Sequence, residues 1–190
     1  MNYGVYKDAR NAAWLCLLDH GISALPVSLK TITENCGIRV IPNSSVAMLS
    51  PGERGKAVAI DHAWYIIVND EDTPRACRFT IAHELGHIFM GHAVKKGYTG
   101  HARSKQFVIK PETESAADTF ASRLLCPAVV LYALDVHTPQ EIMEICDVSH
   151  ACATLRAKRM EVLYQRNRFF QSTLERRVYE NFRPFIESMK

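Results

Sequence analysis

The sequence predicts an α+β protein with a small sheet and several helices. Two β-branched and aromatic runs, Lys56–Ile60 and Trp64–Val68, are separated by only three residues and predict a hairpin. Most other segments carry apolar residues at helical spacing and end at Gly or Pro. The chain lacks the regular alternation of strands and helices that indicates a parallel doubly wound sheet. A mixed or antiparallel sheet is therefore expected.

Helices are predicted on both sides of this hairpin. In chain order the predicted elements are Tyr3–His20, Ser28–Asn35, the strand Ile38–Ile41, Pro74–Gly91, Glu112–Leu125, Thr138–Cys146, Ser149–Asn167 and Gln171–Ser188. We expect Pro184 to kink or end the last helix, because proline removes a helical hydrogen bond. Ala93–Lys110 is a predicted loop of about 18 residues, and loops longer than ordinary connections indicate function or mobility.

Length and composition are typical of a small globular chain. The chain has 190 residues, of which 47% are hydrophobic, so it can bury a core and is not disordered over most of its length. No apolar run reaches the roughly 18 residues that a membrane span requires. Met1–Arg10 lacks the pattern of a signal peptide. Six cysteines without C-x-x-C spacing predict reduced, mostly buried thiols. We therefore expect a cytoplasmic protein that does not enter a membrane.

Charge is distributed unevenly along the chain. The net charge is +3, yet residues 156–190 contain nine Lys or Arg against four Glu. A basic last segment suits contact with nucleic acid or an acidic partner, and it equally suits a solvated helix face. A DNA-binding regulator acting through Thr138–Lys190 therefore remains an alternative function.

Residues 83–87 read His-Glu-Leu-Gly-His within the predicted helix Pro74–Gly91. Positions i and i+4 of a helix differ by about 40° in direction and about 6 Å in height, so both imidazoles project from one face and can hold one metal ion. Glu84 lies about 100° around the helix from His83, where it can flank the metal and take a proton from water. The pattern predicts zinc ligands at His83 and His87 and a general base at Glu84.

The next predicted helix supplies the third zinc ligand. Glu114 is the preferred residue, because Asp118 follows it on the same helix face and can accept the second ring N–H of a ligand histidine. Glu112 is the rival, but it stands at the frayed start of the helix and has Ala116 four residues on. A His-His-Glu set leaves one coordination position open, which favours catalysis over a structural site.

Two blocks of sequence resemble the ImmA/IrrE family of metallopeptidases: Arg78–His87, and the block from Glu114 to Pro127. Weaker similarity at Leu25–Val27 and Gly37–Val40 extends the resemblance over about residues 5–165. It implies a minimal, thermolysin-like zincin core over residues 1–135 and a helical, helix-turn-helix-like region over residues 136–190, packed on that core. It places His83, His87 and Glu114 at the family's ligand positions and Glu84 at its catalytic position.

The resemblance also implies a substrate. Family members are implicated in cleaving a helix-turn-helix repressor of a mobile element or stress response, so a repressor is the expected protein partner. A partner-binding protein that does not cleave is the alternative. Thr138–Arg159 looks like the family's helix-turn-helix-like tail, although its apolar residues (Ile142, Ile145, Val148, Ala151, Leu155 and Met160) equally suit packing against the core. The oxyanion donor is left open among His92, Tyr98, His101, Arg103 and His150.

Overall fold

A computed structural model describes residues 3–92 and 112–190. The helices are α1 (Tyr3–Asp19), α2 (Leu29–Asn35), α3 (Pro74–Phe89), α4 (Glu112–Leu125), α5 (Ala128–Ala133), α6 (Pro139–Cys146), α7 (His150–Gln165) and α8 (Thr173–Ser188). The strands are β1 (Arg39–Pro42), β2 (Gly55–Ile60) and β3 (Ala63–Val68), and a 3-10 turn, Asn43–Ser45, follows β1. The architecture is α+β, as the sequence predicts. The predicted loop Ala93–Lys110 lies outside the described residues.

The three strands form a mixed sheet in the order β1-β3-β2. β2 and β3 are antiparallel, with Ala57 opposite Ile66, whereas β1 runs parallel to β3. Asp61 and His62 form the hairpin turn with φ values of 49° and 64°. Positive φ at both central residues is typical of a type I′ turn, whose twist matches that of the strands. Because β2 pairs only with β3 among the described strands, it lies at one edge of the sheet.

Helix α3 lies against the sheet at Gly55. A Cβ atom at this position would lie 2.4 Å from Cγ2 of Thr80 and 2.8 Å from the backbone oxygen of Ile67. Both distances are far inside van der Waals contact, so a side chain would push α3 away from β2 at Thr80 and β3 away from β2 at Ile67. Thr80 is buried. The absence of a side chain at Gly55 thus sets how closely α3 approaches β2.

The helices share one hydrophobic cluster, which includes Ala13 of α1 and Ile186 of α8. α1 and α3 both pack against α4, so α4 lies between them. The segment Glu112–Ala133 has the length and hydropathy of a membrane span, but 78% of that window is buried inside the protein. Core helices commonly share this composition, and the packing of α4 accounts for it here.

The C-terminal helices attach to α3 through Asp147, which links α6 to α7. Asp147 ends α6 in the left-handed conformation with a φ of 50°. Its carboxylate lies 2.9 Å from Nε of Arg75 and 3.3 Å from Nε of Arg78. Arg78 also donates to the backbone oxygen of Val27. The helix that carries the His-Glu-Leu-Gly-His run is therefore tied to the α6–α7 pair at its N-terminal half.

The apolar residues of the predicted helix-turn-helix-like segment are only partly buried. Ile142, Val148 and Met160 are fully buried, as packing against the core requires. Ile145 is half-buried, while Ala151 and Leu155 are exposed. One face of the segment thus contacts the core and another does not. The division of the chain at residues 135 and 136 stays a prediction.

Two features of the helices differ from the sequence-based expectation. α5 was not predicted: Pro127, expected to end α4, precedes a separate helix and occupies its N-cap position. Pro184 does not end α8, which continues to Ser188. Because Pro184 and Glu180 are both exposed, water can satisfy the Glu180 carbonyl that the missing N–H leaves unbonded. None of the six cysteines, all within the described residues, forms a disulfide, and four of them are buried.

Candidate metal centre

The two histidines of the metal motif project from the last two turns of α3. Thr73 caps the helix by accepting from the N–H of Ala76, and Pro74 occupies its first turn. Both are ordinary helix-start signals, and the helix runs without interruption to Phe89. His83 and His87 consequently lie one turn apart on the same face, with 1% and 0% of their surface exposed.

Glu114 reaches these histidines because α4 packs closely on α3. A Cβ atom at Gly86 would lie 3.1 Å from Cβ of Phe120, so the glycine admits the aromatic ring between the helices. Ala117 and Ala121 of α4 are fully buried, and small residues let two helices approach. The first turn of α4 is therefore held beside the last turns of α3.

The side chains of His83, His87 and Glu114 converge on one point. The two Nε2 atoms lie 3.1 Å apart. Oε2 of Glu114 is 3.3 Å from Nε2 of His83, and its Oε1 is 3.0 Å from Nε2 of His87. Tetrahedral zinc with bonds of about 2 Å places its ligand atoms about 3.3 Å from one another. The spacing of these atoms fits a single metal ion of that kind.

Within the described ranges, these three residues are the one group of His, Cys, Asp or Glu side chains that can hold a metal ion. Their candidate ligand atoms all lie within 4.8 Å of one another, and all three residues are buried. Glu112, the rival third ligand, is exposed at the first residue of α4 and does not belong to the group.

Both histidines are oriented by a partner at the other ring nitrogen. Nδ1 of His83 lies 3.0 Å from Oδ1 of Asp118, where the sequence placed a carboxylate. Since a carboxylate only accepts, Nδ1 of His83 carries a proton toward Asp118, which leaves Nε2 as the nitrogen that can bind a metal ion once it gives up its own proton. Nδ1 of His87 lies 3.2 Å from Nδ1 of His92. Outer partners of this kind fix the ring orientation of metal-binding histidines.

Glu84 lies beside the group without belonging to it. Its side chain is 2% exposed, and its Oε2 accepts from the backbone N–H of Ala57 at 2.9 Å. Because that N–H donates to a side chain, it points away from β3 and toward the outer edge of β2. The carboxylate is thereby held between the metal centre and the sheet edge, a contact that the sequence did not reveal.

Comparison with protein families identifies the fold around this site. The family model of the IrrE N-terminal-like domain, which describes a family of peptidases, matches residues 33–157. The chain belongs to this family. The match includes all three strands and both helices of the metal centre, and it continues through α6 into α7. No curated protein matches the chain significantly.

The electrostatics of the site in this IrrE-like peptidase domain favour a cation. Burial lowers the pKa of His83, but its contacts with Asp118 and Glu114 and the charge of Glu84 raise it to about 9. Burial raises the pKa of Glu114, yet the two histidines bring it well below its usual value. The buried carboxylates therefore attract positive charge, and a metal ion competes with protons for the same nitrogens.

The candidate oxyanion donors named from the sequence differ in where they lie. Tyr98, His101 and Arg103 lie outside the described residues. His150 is exposed at the start of α7 and makes no hydrogen bond with the three converging side chains. His92 contacts Nδ1 of His87, on the side of the ring away from the converging Nε2, so its position suits orientation of His87 and not stabilisation of an oxyanion. No sequence signal distinguished that role, because His92 lies five residues after His87, just beyond the end of α3.

Proposed function

We propose that the chain is a zinc-dependent endopeptidase in which His83, His87 and Glu114 bind the ion and Glu84 is the general base. The observation that carries this proposal is the convergence of two imidazole nitrogens and one carboxylate beside a second, separately held carboxylate. Structural zinc sites close the coordination sphere with four protein ligands, whereas catalytic sites use three. The three-ligand group described here matches the catalytic type.

The ion, when bound, supplies Lewis acidity that activates water and polarises the scissile carbonyl. The rest of the chemistry belongs to the chain. Glu84 accepts a proton from the attacking water and later delivers it to the leaving amine. Burial raises the pKa of Glu84 above its usual value, which makes it a stronger base than an exposed carboxylate. The N–H of Ala57 holds one of its oxygens and so fixes the direction of proton transfer.

The outer edge of β2 is the proposed docking line for the substrate chain. The N–H of Ala57 points to this edge, and Ala59 is the next residue in the same orientation. Ala59 is exposed, and none of the described strands pairs with β2 on this side. An extended peptide that adds to a sheet edge gains backbone hydrogen bonds. Such a peptide would pass Glu84 and the metal centre, which suits cleavage within a chain.

We infer that the substrate is a helix-turn-helix repressor of a mobile element or stress response. We also infer that the protein acts in the cytoplasm. The resemblance to the ImmA/IrrE family supports the first, and six cysteines that form no disulfide suit a reducing compartment. The test is co-expression with a helix-turn-helix protein encoded beside this chain's gene, followed by mass spectrometry for new termini. A shortened repressor is expected. An intact repressor that binds the chain would instead indicate partner binding without cleavage.

Glu84→Gln tests the catalytic role. The substitution keeps size and hydrogen-bonding capacity but removes the base, so zinc content is expected to stay at one per chain while cleavage falls about 10²- to 10⁴-fold. Glu112→Gln makes the same chemical change at an exposed carboxylate and is the matched control. Full cleavage by a zinc-loaded Glu84→Gln variant would refute the assignment.

The ligand assignment has a separate test. Glu114→Ala is expected to lower zinc stoichiometry well below one, whereas Glu112→Ala should leave it unchanged. Mass spectrometry under native conditions measures both. Loss of zinc in the Glu112 variant alone would reverse the choice of third ligand.

A further inference from the structure

A cavity of about 310 Å³ lies between α1 and the end of α7 and is walled by arginines. We call it the arginine cavity and define it by six of its residues: Tyr6, Arg10, Arg159, Arg166, Arg168 and Gln171. The described residues that line it include four arginines and neither Asp nor Glu. Its volume falls in the range of about 300–1,000 Å³ that small-molecule sites occupy.

Tyr6 is surrounded by positive charge. Arg123 of α4 donates to the Tyr6 hydroxyl at 2.9 Å, and the guanidinium carbons of Arg123 and Arg159 each lie 5.4 Å from its ring centroid. Burial raises the pKa of Tyr6, but the charges of Arg123, Arg159 and Arg156 bring it below its usual value. The wall of the cavity therefore attracts negative charge.

Arg156 adds a buried charge to this cluster. It is 1% exposed, and none of its three guanidinium nitrogens has a hydrogen-bond partner among residues 3–92 and 112–190. It precedes Arg159 by three residues, so both lie on the same side of α7. Burial, with repulsion from Arg123, lowers the pKa of Arg156 to about 9. A buried cation without a partner is costly, and proteins retain such groups chiefly for function.

The described part of the chain supplies no carboxylate counter-ion for these arginines. In residues 3–92 and 112–190, no carboxylate forms an ion pair with Arg156 or with the four arginines of the cavity. The other residues of the chain, 1–2 and 93–111, contain neither Asp nor Glu. The charge of Arg10 acts to lower the pKa of Glu175, but the Glu175 carboxylate accepts a hydrogen bond from the backbone N–H of Gln171. The arginines of the cavity therefore keep donors available for an anion from outside the chain.

We propose that the arginine cavity binds a small molecule carrying a phosphate monoester. Guanidinium groups pair with phosphate oxygens through two parallel hydrogen bonds, and several converging arginines suit a dianion better than a single carboxylate. The site is concave and of small-molecule size, whereas contact with a nucleic-acid backbone relies on an extended basic surface. Tyr6, which lines the cavity, accepts a hydrogen bond from Arg123 of α4, nine residues after Glu114.

Calorimetric titration of the zinc-loaded full chain with ribose 5-phosphate tests this proposal, and ribose is the control without phosphate. One ribose 5-phosphate per chain is expected to bind, and ribose is expected not to bind. Arg159→Gln and Arg168→Gln should each weaken binding about tenfold or more, because each loses a charge-assisted hydrogen bond. Arg177→Gln removes the same charge from an exposed position of α8 outside the cavity, and binding should stay within about twofold.

Arg156→Met supplies a second readout, since it replaces the unpaired buried cation by an apolar side chain of similar length. The variant should melt at a higher temperature than the wild type and bind ribose 5-phosphate more weakly. Absence of binding, or unchanged affinity in both Arg159→Gln and Arg168→Gln, would overturn the proposal. So would displacement of ribose 5-phosphate by a short DNA duplex that binds more tightly, which would assign the cavity to nucleic acid. None of these measurements depends on peptidase activity.

Discussion

Gly55→Ala should damage both stability and catalysis, because Gly55 is where α3 meets the sheet. The added Cβ would lie 2.4 Å from Cγ2 of Thr80 and 2.8 Å from the backbone oxygen of Ile67. Relief to an ordinary contact of about 3.5 Å requires the helix and strand to separate by about 1 Å. Overpacking of this kind costs about 2–3 kcal/mol, and the lower backbone entropy of alanine in the unfolded chain returns about 0.5–1 kcal/mol.

The net loss of about 1–2.5 kcal/mol corresponds to a fall in melting temperature of about 2–10 °C for a chain of this size. Catalysis should suffer more. Thr80 lies one turn before Glu84, and a separation of about 1 Å would break the 2.9 Å hydrogen bond between Ala57 and Glu84. Misplacement of a catalytic group by that distance can cost about 10²-fold in rate.

Differential scanning calorimetry measures the first effect, and repressor cleavage by the zinc-loaded variant measures the second. Thr80→Ser removes the nearer of the two clashing atoms, so adding it to Gly55→Ala should restore part of the lost stability. The backbone oxygen of Ile67 remains in place, so recovery should be incomplete. A Gly55→Ala variant that melts at the wild-type temperature and cleaves at the wild-type rate would refute this account of the α3–β2 contact.

Two further predictions concern single carboxylates. Asp118→Ala should weaken zinc binding about 10- to 100-fold, measured by competition with a chromophoric chelator, because His83 loses the acceptor at its Nδ1; unchanged affinity would contradict the orienting role. Glu141 accepts from the backbone N–H groups of Thr138 and His137, and these contacts lower its pKa below the usual 4.5. A lowered carboxyl pKa stabilises the fold above the unfolded-state value and loses that effect as pH falls through the folded-state value. The melting temperature of Glu141→Gln should therefore lie about 1–3 °C below wild type at pH 7, and the gap should close below about pH 4.

The candidate metal centre shows how much a local sequence pattern can predict. The i, i+4 spacing of His83 and His87 requires only that the segment be helical, and Thr73 and Pro74 mark where that helix begins. Glu114 and Asp118 were inferred from the same rule applied to the next helix. The pairings of His83 with His87 and of Glu114 with Asp118 depend on geometry within one helix, which sequence periodicity encodes directly, whereas the meeting of the two pairs depends on the packing of α4 on α3.

The contacts of Glu84 and His92 illustrate the opposite case. Glu84 is held by an amide of β2, 27 residues earlier in the chain, and periodicity carries no information about which strand faces which helix. His92 follows α3 and turns back to His87, a placement that a loop decides and not a repeating pattern. The unexpected helix α5 has the same origin: Pro127 breaks α4, and whether the chain then forms a loop or a new helix depends on what it packs against.

The sequence by itself determined the α+β class, the hairpin and the boundaries of the predicted helices to within a few residues, because these follow from spacing along the chain, and the resemblance of two sequence blocks indicated the family. The tertiary structure alone decided that β1 runs parallel to β3, that Glu84 meets the outer edge of β2, and that Arg156 is buried beside other arginines without a carboxylate. The physical reason is that burial and charge pairing depend on distances in space between residues remote in sequence. A basic C-terminal segment looks alike in sequence whether its arginines face solvent or line a cavity, and only packing separates the two.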